Sequence, residues 1–169
     1  MFSVLSLFFH WLGDTHYSVA IRESTWTYPI VESVHVLGLC LFLGFAMIWD
    51  LRLLGRTLKR VPVSELAGRL MPWTLAGFAI MVASGALLFY SNPVRFSENI
   101  FFQVKCAMLI LAGLNALWFQ VTAFRSMGTW DTAPVPPKIA RSAAVISITL
   151  WACIVVAGRM IAYNWFDPK

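Results

Sequence analysis

Four ionisable side chains lie within segments that are otherwise apolar enough to cross a membrane. Glu32 and His35 are one helical turn apart in the stretch TYPIVESVHVLGL, and Lys105 and Arg159 lie in two later apolar runs. Such residues are costly in lipid, so they usually face the bundle interior or a cavity and mark a functional site. At about 1.5 Å of helix per residue, all four lie roughly 9 Å or less from the same membrane surface. The sequence therefore predicts one polar layer in the outer leaflet.

The chemistry that this layer suggests first is haem binding. A neutral imidazole inside a helix bundle is a good axial ligand for haem iron. We expect His35 to be that ligand and Glu32 to be its neighbour one turn away. Lys105 and Arg159 would then pair with the two propionates near the outer surface. The sequence thus predicts a haem b site and a role in electron transfer, as a carrier or membrane subunit rather than a stand-alone enzyme.

The second axial ligand is open at this point, because the predicted spans contain only one histidine. His10 or His16 could fold over from the N-terminal segment. Met81 and Met108 lie at depths close to that of His35 and could serve instead, although methionine in a span is usually a packing residue. A partner chain could also provide the ligand.

Three other interpretations of the layer stay open. His35 with Met81 and Met108, joined by Cys106, would suit Cu(I), which prefers imidazole, thioether and thiol ligands. A quinone or proton-relay site could use His35 and Glu32 to exchange protons and Arg159 to hold a carbonyl. In the last interpretation there is no cofactor, and the layer fixes helix register in an accessory or anchoring subunit of a larger membrane complex.

The elements that must position these residues are predicted to be membrane helices. Apolar residues make up 59% of the 169 residues and charged residues 12%, whereas a soluble chain has roughly 25% charged residues. The solvent of most of the chain must therefore be lipid. Four apolar segments reach the roughly 20 residues that a spanning helix needs, at about 29–49, 70–90, 99–124 and 141–164. We predict an all-α integral membrane four-helix bundle over residues 25–169.

The first 24 residues are predicted to form an interfacial amphipathic helix. They have no basic n-region and no small-residue cleavage site, so a cleaved signal peptide is not expected. Ser3, Ser6, His10 and either Gly13 or Asp14 recur every three or four residues and form a narrow polar stripe. Such a helix would lie at the outer interface or pack its stripe onto the bundle.

The basic residues predict an orientation. The links 50–69 and 125–141 hold eight Lys and Arg residues, whereas the other side has three outside the spans. The positive-inside rule therefore places both chain ends outside the cytoplasm, which in a bacterial inner membrane is the periplasm. We expect the 50–69 link to be partly helical, with Arg52 and its basic neighbours anchored at anionic headgroups.

Several functions are disfavoured by the same residues. The positive charge is clustered at span ends and does not cover a face, so nucleic-acid binding is not expected. Cys40, Cys106 and Cys153 match no zinc or CxxC spacing, and we expect them to be small buried hydrophobes. No nucleophile elbow or similar motif suggests a hydrolase.

The first span and its exit carry a family resemblance. They read Glu32-Ser-Val-His35-Val-Leu-Gly-Leu39 and then Asp50-Leu-Arg-Leu-Leu-Gly55. This pattern resembles a group of small, functionally uncharacterised bacterial inner-membrane proteins, most strongly across about 25–60. In size and span arrangement the chain is more loosely similar to copper-resistance D-type proteins and to b-type cytochrome subunits. The latter resemblance implies paired histidines on several spans, a pattern from which this sequence departs.

Overall fold

A computed structural model describes residues 4–163, which form seven α-helices and one 3-10 helix, with no strand among them. Two short helices, α1 (Val4–Gly13) and α2 (His16–Glu23), precede the first long one. The four long helices are α3 (Thr27–Leu53), α4 (Val63–Ser91), α6 (Ile100–Val121) and α7 (Lys138–Met160). The short helix α5 (Pro93–Glu98) lies between α4 and α6, and the 3-10 helix Phe124–Thr129 lies between α6 and α7.

The four long helices confirm the predicted all-α membrane bundle. Each is long and apolar enough to cross a bilayer. Only 6% to 28% of the residues in their most apolar windows are buried inside the protein. The remaining apolar side chains face outward, where lipid must cover them, and the chain is therefore a multi-pass membrane protein.

The outward-facing surface also corrects the prediction for the cysteines. Cys40 and Cys153 are exposed on the outside of the bundle, and Cys106 is half-buried. The expectation that all three are buried was wrong, because in a membrane protein an apolar environment extends over the outer surface as well as the core.

The helix boundaries differ from the predictions mainly at the ends that carry the basic links. Helix α3 continues to Leu53, so Asp50 and Arg52 belong to the helix and not to a link. The 50–69 link is partly helical, as predicted, because α3 ends at Leu53 and α4 begins at Val63. Residues 54–62 between the two helices are turns, in which Leu58 has a φ of 50°. Helix α4 thus begins seven residues before the predicted span, and Pro72 lies inside it.

Two helix pairs build the bundle. Helix α3 packs along α4, α6 packs along α7, and the pairs meet through α3 and α7, whereas α4 and α6 do not pack along each other. The α3–α4 contact is close because glycine replaces side chains there. A Cβ at Gly77 would lie 2.6 Å from the backbone nitrogen of Phe42, and one at Gly38 would lie 2.8 Å from Ile80. Small residues permit this backbone approach in membranes.

An apolar cluster, which we call the central cluster, occupies the middle of the bundle. Its buried members come from all four long helices: Phe42, Met81, Ala112, Trp151 and Ile154. Phe42 lies seven residues after His35 and eight before Asp50 on α3, which at about 1.5 Å per residue places it about 10 to 12 Å from each. The central cluster therefore separates a polar region around His35 from another around Asp50. We call the end of the bundle that holds His35 the outer end and the end that holds Asp50 the inner end.

The short helices cover the outer end of the bundle. A Cβ built at Gly13 of α1 would lie 3.5 Å from the Pro93 ring of α5, and Ser18 of α2 donates a hydrogen bond to the carbonyl oxygen of Tyr90. Ser6 and His10 lie on the side of α1 that faces α5. The predicted polar stripe therefore packs against the bundle, although its first member, Ser3, lies outside the described residues.

Candidate functional site

His35 is held on α4 through its Nδ1 atom. This atom lies 3.0 Å from the carbonyl oxygen of Met81 and 3.1 Å from Oγ of Ser84. A carbonyl oxygen can only accept a hydrogen bond, so Nδ1 carries the proton and donates it. The Ser84 hydroxyl donates onward to the carbonyl of Ile80 at 2.6 Å. In the neutral ring the lone pair is therefore on Nε2, which is the arrangement that ligating histidines use.

The His35 ring packs closely over Gly85 of α4. A Cβ built at Gly85 would lie 3.1 Å from Cε1 of His35 and 3.4 Å from Nδ1. Ser84 beside it is 4% exposed. The ring is thus fixed by a hydrogen bond and by steric contact, and its orientation is set before any ligand binds.

Lys105 is the second ionisable residue that the structure places inside the outer polar region. It is half-buried, and its Nζ atom lies 3.6 Å from where a Cβ of Gly158 on α7 would be. Its ammonium group is within electrostatic range of the His35 ring. No carboxylate among residues 4–163 forms an ion pair with Lys105. The structure therefore brings Lys105 within electrostatic range of an oriented imidazole, and no carboxylate of the described residues pairs with this cation.

Glu32 and Arg159 lie at the same level but on the outer surface. Both side chains are exposed. Glu32 remains within electrostatic range of His35, and the Arg159 guanidinium lies 5.7 Å from the centre of the Tyr163 ring. The four residues are therefore divided between two that face the helices and two that face the surroundings.

The two N-terminal histidines lie on the outer helices. His10 lines a cleft of about 170 Å³ between α1 and α5, together with Ser97 and Glu98. His16 is exposed on α2, where its ring packs edge-on against Tyr17.

The residues suggested for copper are placed differently from one another. Met81 is buried in the central cluster, and Met108 packs against the same cluster. Met81 meets His35 through its backbone carbonyl. Among residues 4–163 there is no group of three or more His, Cys, Asp or Glu side chains that could hold a metal ion. Met81 thus meets His35 through its carbonyl oxygen and not through its sulfur atom.

A second polar group, on the opposite side of the central cluster, was not predicted. Asp50 on α3 is 6% exposed, and its carboxyl group lies close to the Ser147 hydroxyl on α7. Asn115 on α6 donates from Nδ2 to the carbonyl of Ala143 at 3.0 Å. We call Asp50, Ser147 and Asn115 the inner polar group. An acid placed within a span was the available signal, and it was missed because α3 was predicted to end at residue 49.

Arg52 corrects the prediction that it anchors the chain at headgroups. Its side chain is 0% exposed. It donates two hydrogen bonds to the carbonyl of Val61 and one to that of Ala133, at 3.1 to 3.2 Å. Arg52 therefore ties together the two links at this end of the bundle, because its buried side chain donates to a carbonyl oxygen of each.

Asp131 stabilises the same end by capping α4 from another part of the chain. Its carboxylate accepts from the backbone nitrogen and the hydroxyl of Ser64, both at 2.7 Å. The hydrogen bonds from the Ser64 backbone and hydroxyl hold the pKa of Asp131 below its usual value, and the Arg52 charge acts in the same direction. Pro62, the residue before α4, provides no side-chain cap of its own.

Comparison with known proteins identifies a family without an assigned activity. The model of a family of unknown function (DUF6644) matches residues 8–164, so the chain belongs to that family. No curated protein and no solved structure matches the chain. The family match confirms the predicted resemblance to uncharacterised proteins and leaves the chemistry to be inferred from the site.

Proposed function

We propose that this member of the family binds haem b in the outer half of the bundle, with Nε2 of His35 as an axial ligand. The observation that supports it is the hydrogen bond from Nδ1 to the Met81 carbonyl, which leaves the Nε2 lone pair available. A carbonyl partner of this kind fixes the tautomer and increases the basicity of the ligating nitrogen. Haem, when bound, supplies a one-electron redox change.

Lys105 supports the same proposal through its charge. A haem carries propionates, and Lys105 is a half-buried cation with no carboxylate partner among the described residues. We infer that Lys105 holds one propionate from inside the bundle and that Arg159, being exposed, reaches the other from the surface. Glu32 stays close enough to the His35 ring to influence its charge.

The donor set fits one axial position. The second ligand, in this proposal, comes from His10 or His16 on the outer helices, from Met108, or from a partner chain. Oriented as the positive-inside rule indicates, the site lies near the periplasmic face of a bacterial inner membrane, with both chain ends on that side. A copper site has weaker support, since Met81 faces the central cluster.

The visible spectrum of the detergent-purified protein tests this proposal. We expect protein from haem-replete cells to show a Soret band that sharpens on dithionite reduction, with resolved α and β bands. His35→Ala should lose the spectrum, whereas His10→Ala and His16→Ala should each lose it only if that histidine is the second ligand. Lys105→Met should lower haem occupancy. A featureless spectrum from the unaltered protein would reject haem binding.

A cofactor-free role is the second candidate, and one observation favours it. His35 joins α3 to α4 by a hydrogen bond and packs on Gly85, so it can serve as a helix clamp without any ligand. The protein would then be an accessory or anchoring subunit of a larger complex. His35→Gln distinguishes the two, because glutamine retains a donor for the Met81 carbonyl but does not replace an axial imidazole.

A further inference from the structure

Asp50 is a buried acid that has no part in the His35 site. Its side chain is 6% exposed, three residues before the end of α3, and the Ser147 hydroxyl is the polar group that lies close to its carboxyl. An ionised carboxylate in such surroundings is costly unless a positive charge or several donors compensate it. The groups around Asp50 therefore decide which form it takes.

The charged residues near this end of the bundle are already engaged or exposed. The Arg52 guanidinium is directed to the carbonyls of Val61 and Ala133. On α4, Glu65 and Arg69 form an ion pair with each other at 2.7 Å. The remaining charged residues of this end are exposed or bound elsewhere. The exposed ones are Arg56, Lys59 and Arg60 of the turns after α3, Arg125 of the link before α7, and Lys138 and Arg141 of α7. Asp131, the lone acid of the link before α7, binds Ser64. No cation among the described residues forms an ion pair with Asp50.

Asn115 supplies the second observation. Its Oδ1 atom is buried and has no hydrogen-bond donor among the described residues, while its Nδ2 donates to the Ala143 carbonyl. In an α-helix the carbonyl of residue 143 bonds to the nitrogen of residue 147. Asn115 and Asp50 therefore meet the same turn of α7, one at the Ala143 carbonyl and the other at the Ser147 side chain.

We propose that Asp50 is a proton-binding site and that its protonated carboxyl donates a hydrogen bond to Oδ1 of Asn115. One proton converts the buried carboxylate into a neutral acid, which removes the cost of the charge. The same proton provides the donor that the buried acceptor of Asn115 lacks. Ser147 then occupies the other oxygen of the carboxyl group. This site lies on the opposite side of the central cluster from His35 and does not depend on haem binding.

Infrared difference spectroscopy of the whole protein in lipid nanodiscs tests the proposal. At neutral pH we expect the carbonyl stretch of a protonated carboxylic acid, which should shift when aspartate carboxyl groups are labelled with carbon-13. Asp50→Asn should remove the band, whereas Glu23→Gln, at an exposed acid of α2, should retain it. Absence of the band at neutral pH would overturn the proposal. The isotope label tests the unaltered protein even if Asp50→Asn does not fold.

Two further measurements test the assigned partner and the ligand. Asn115→Ala should move the Asp50 band to higher frequency because the carboxyl loses its acceptor, and an unmoved band would contradict the hydrogen bond. Replacing N-methylglucamine chloride with sodium chloride should leave the band in place. Loss of the band in sodium would show that the oxygens of the inner polar group bind a cation instead of a proton.

Discussion

Replacement of Gly77 by alanine tests the contact on which the outer site depends. A Cβ at this position would lie 2.6 Å from the nitrogen of Phe42 and 3.1 Å from the carbonyl oxygen of Gly38, whereas ordinary contact begins at 3.4 Å. All of the obstructing atoms belong to the backbone of α3, so no side-chain rotation can relieve the clash. The two helices must therefore separate by about 0.8 Å at this level.

The expected loss in the free energy of unfolding follows from that separation. Overpacking of a close contact costs about 1 to 3 kcal/mol, and the upper half of this range applies because the backbone itself must move. The His35–Met81 hydrogen bond lies one helical turn away on the same interface, at 3.0 Å. Lengthened by about 0.8 Å, it would exceed the distance at which a hydrogen bond forms. Gly77→Ala should therefore disturb His35 as well as stability.

The assay is thermal or denaturant unfolding of the purified protein, with two matched glycine controls. Gly44 on α3 and Gly68 on α4 have no neighbouring atom within 4 Å of the position that an added methyl group would occupy, so alanine there should be neutral or stabilise by up to about 1 kcal/mol. We expect Gly77→Ala to unfold at clearly lower temperature than either. Equal stability of the Gly77 and Gly68 variants would refute the close α3–α4 contact.

Three other outcomes follow from contacts at the bundle ends. Arg52→Ala should destabilise the protein by about 3 kcal/mol, since the carbonyls of Val61 and Ala133 lose their charged donor. Arg56→Ala, at an exposed position, should stay within about 0.5 kcal/mol, and chemical unfolding measures both. The lowered pKa of Asp131 means that its bonds to Ser64 stabilise the fold above the ordinary pKa of about 4 and that this contribution is lost as pH falls through the lowered value. As the pH is lowered from 7 to 3, the unfolding temperature of Asp131→Asn should therefore fall less steeply than that of the unaltered protein. Equally steep falls for the two proteins would contradict the cap. The Asn99 side chain accepts hydrogen bonds from two backbone nitrogens of α6 at 3.0 and 3.2 Å. Asn99→Ala should therefore lower the stability by about 1 kcal/mol in the same unfolding assay. A variant as stable as the unaltered protein would contradict this cap.

The spans could be predicted because lipid imposes a simple requirement on the chain. A run of apolar residues long enough to cross the bilayer has no stable alternative to a helix, since its backbone groups must bond to one another. The ends were harder to predict. Arg52 reads as an interfacial residue, yet its acceptors are carbonyls at positions 61 and 133, and no local pattern indicates such distant partners.

The sequence allowed us to predict how deep the four polar residues lie in the membrane, but not which side of each helix faces the bundle. Depth depends only on residue count along a helix, and His35 and Lys105 do lie in one region. Direction depends on helix rotation, which tertiary packing sets. Three residues turn a helix by about 300°, so Glu32 is about 60° from the face on which His35 meets α4. Gly158 faces Lys105. Arg159, the next residue, is rotated by about 100° around the α7 axis and therefore points away from that face.

The central cluster has a consequence for how a membrane voltage acts on the protein. It contains only apolar side chains and lies between the His35 region and the inner polar group. A transmembrane voltage therefore falls largely across it, and charges on its two sides are held at different electrical potentials. Moving one elementary charge through a full 100 mV is worth about 2.3 kcal/mol. Electrons can tunnel through an apolar layer of this thickness, whereas ions find no polar groups along the central cluster. The cluster therefore electrically insulates the His35 end of the bundle from the Asp50 end.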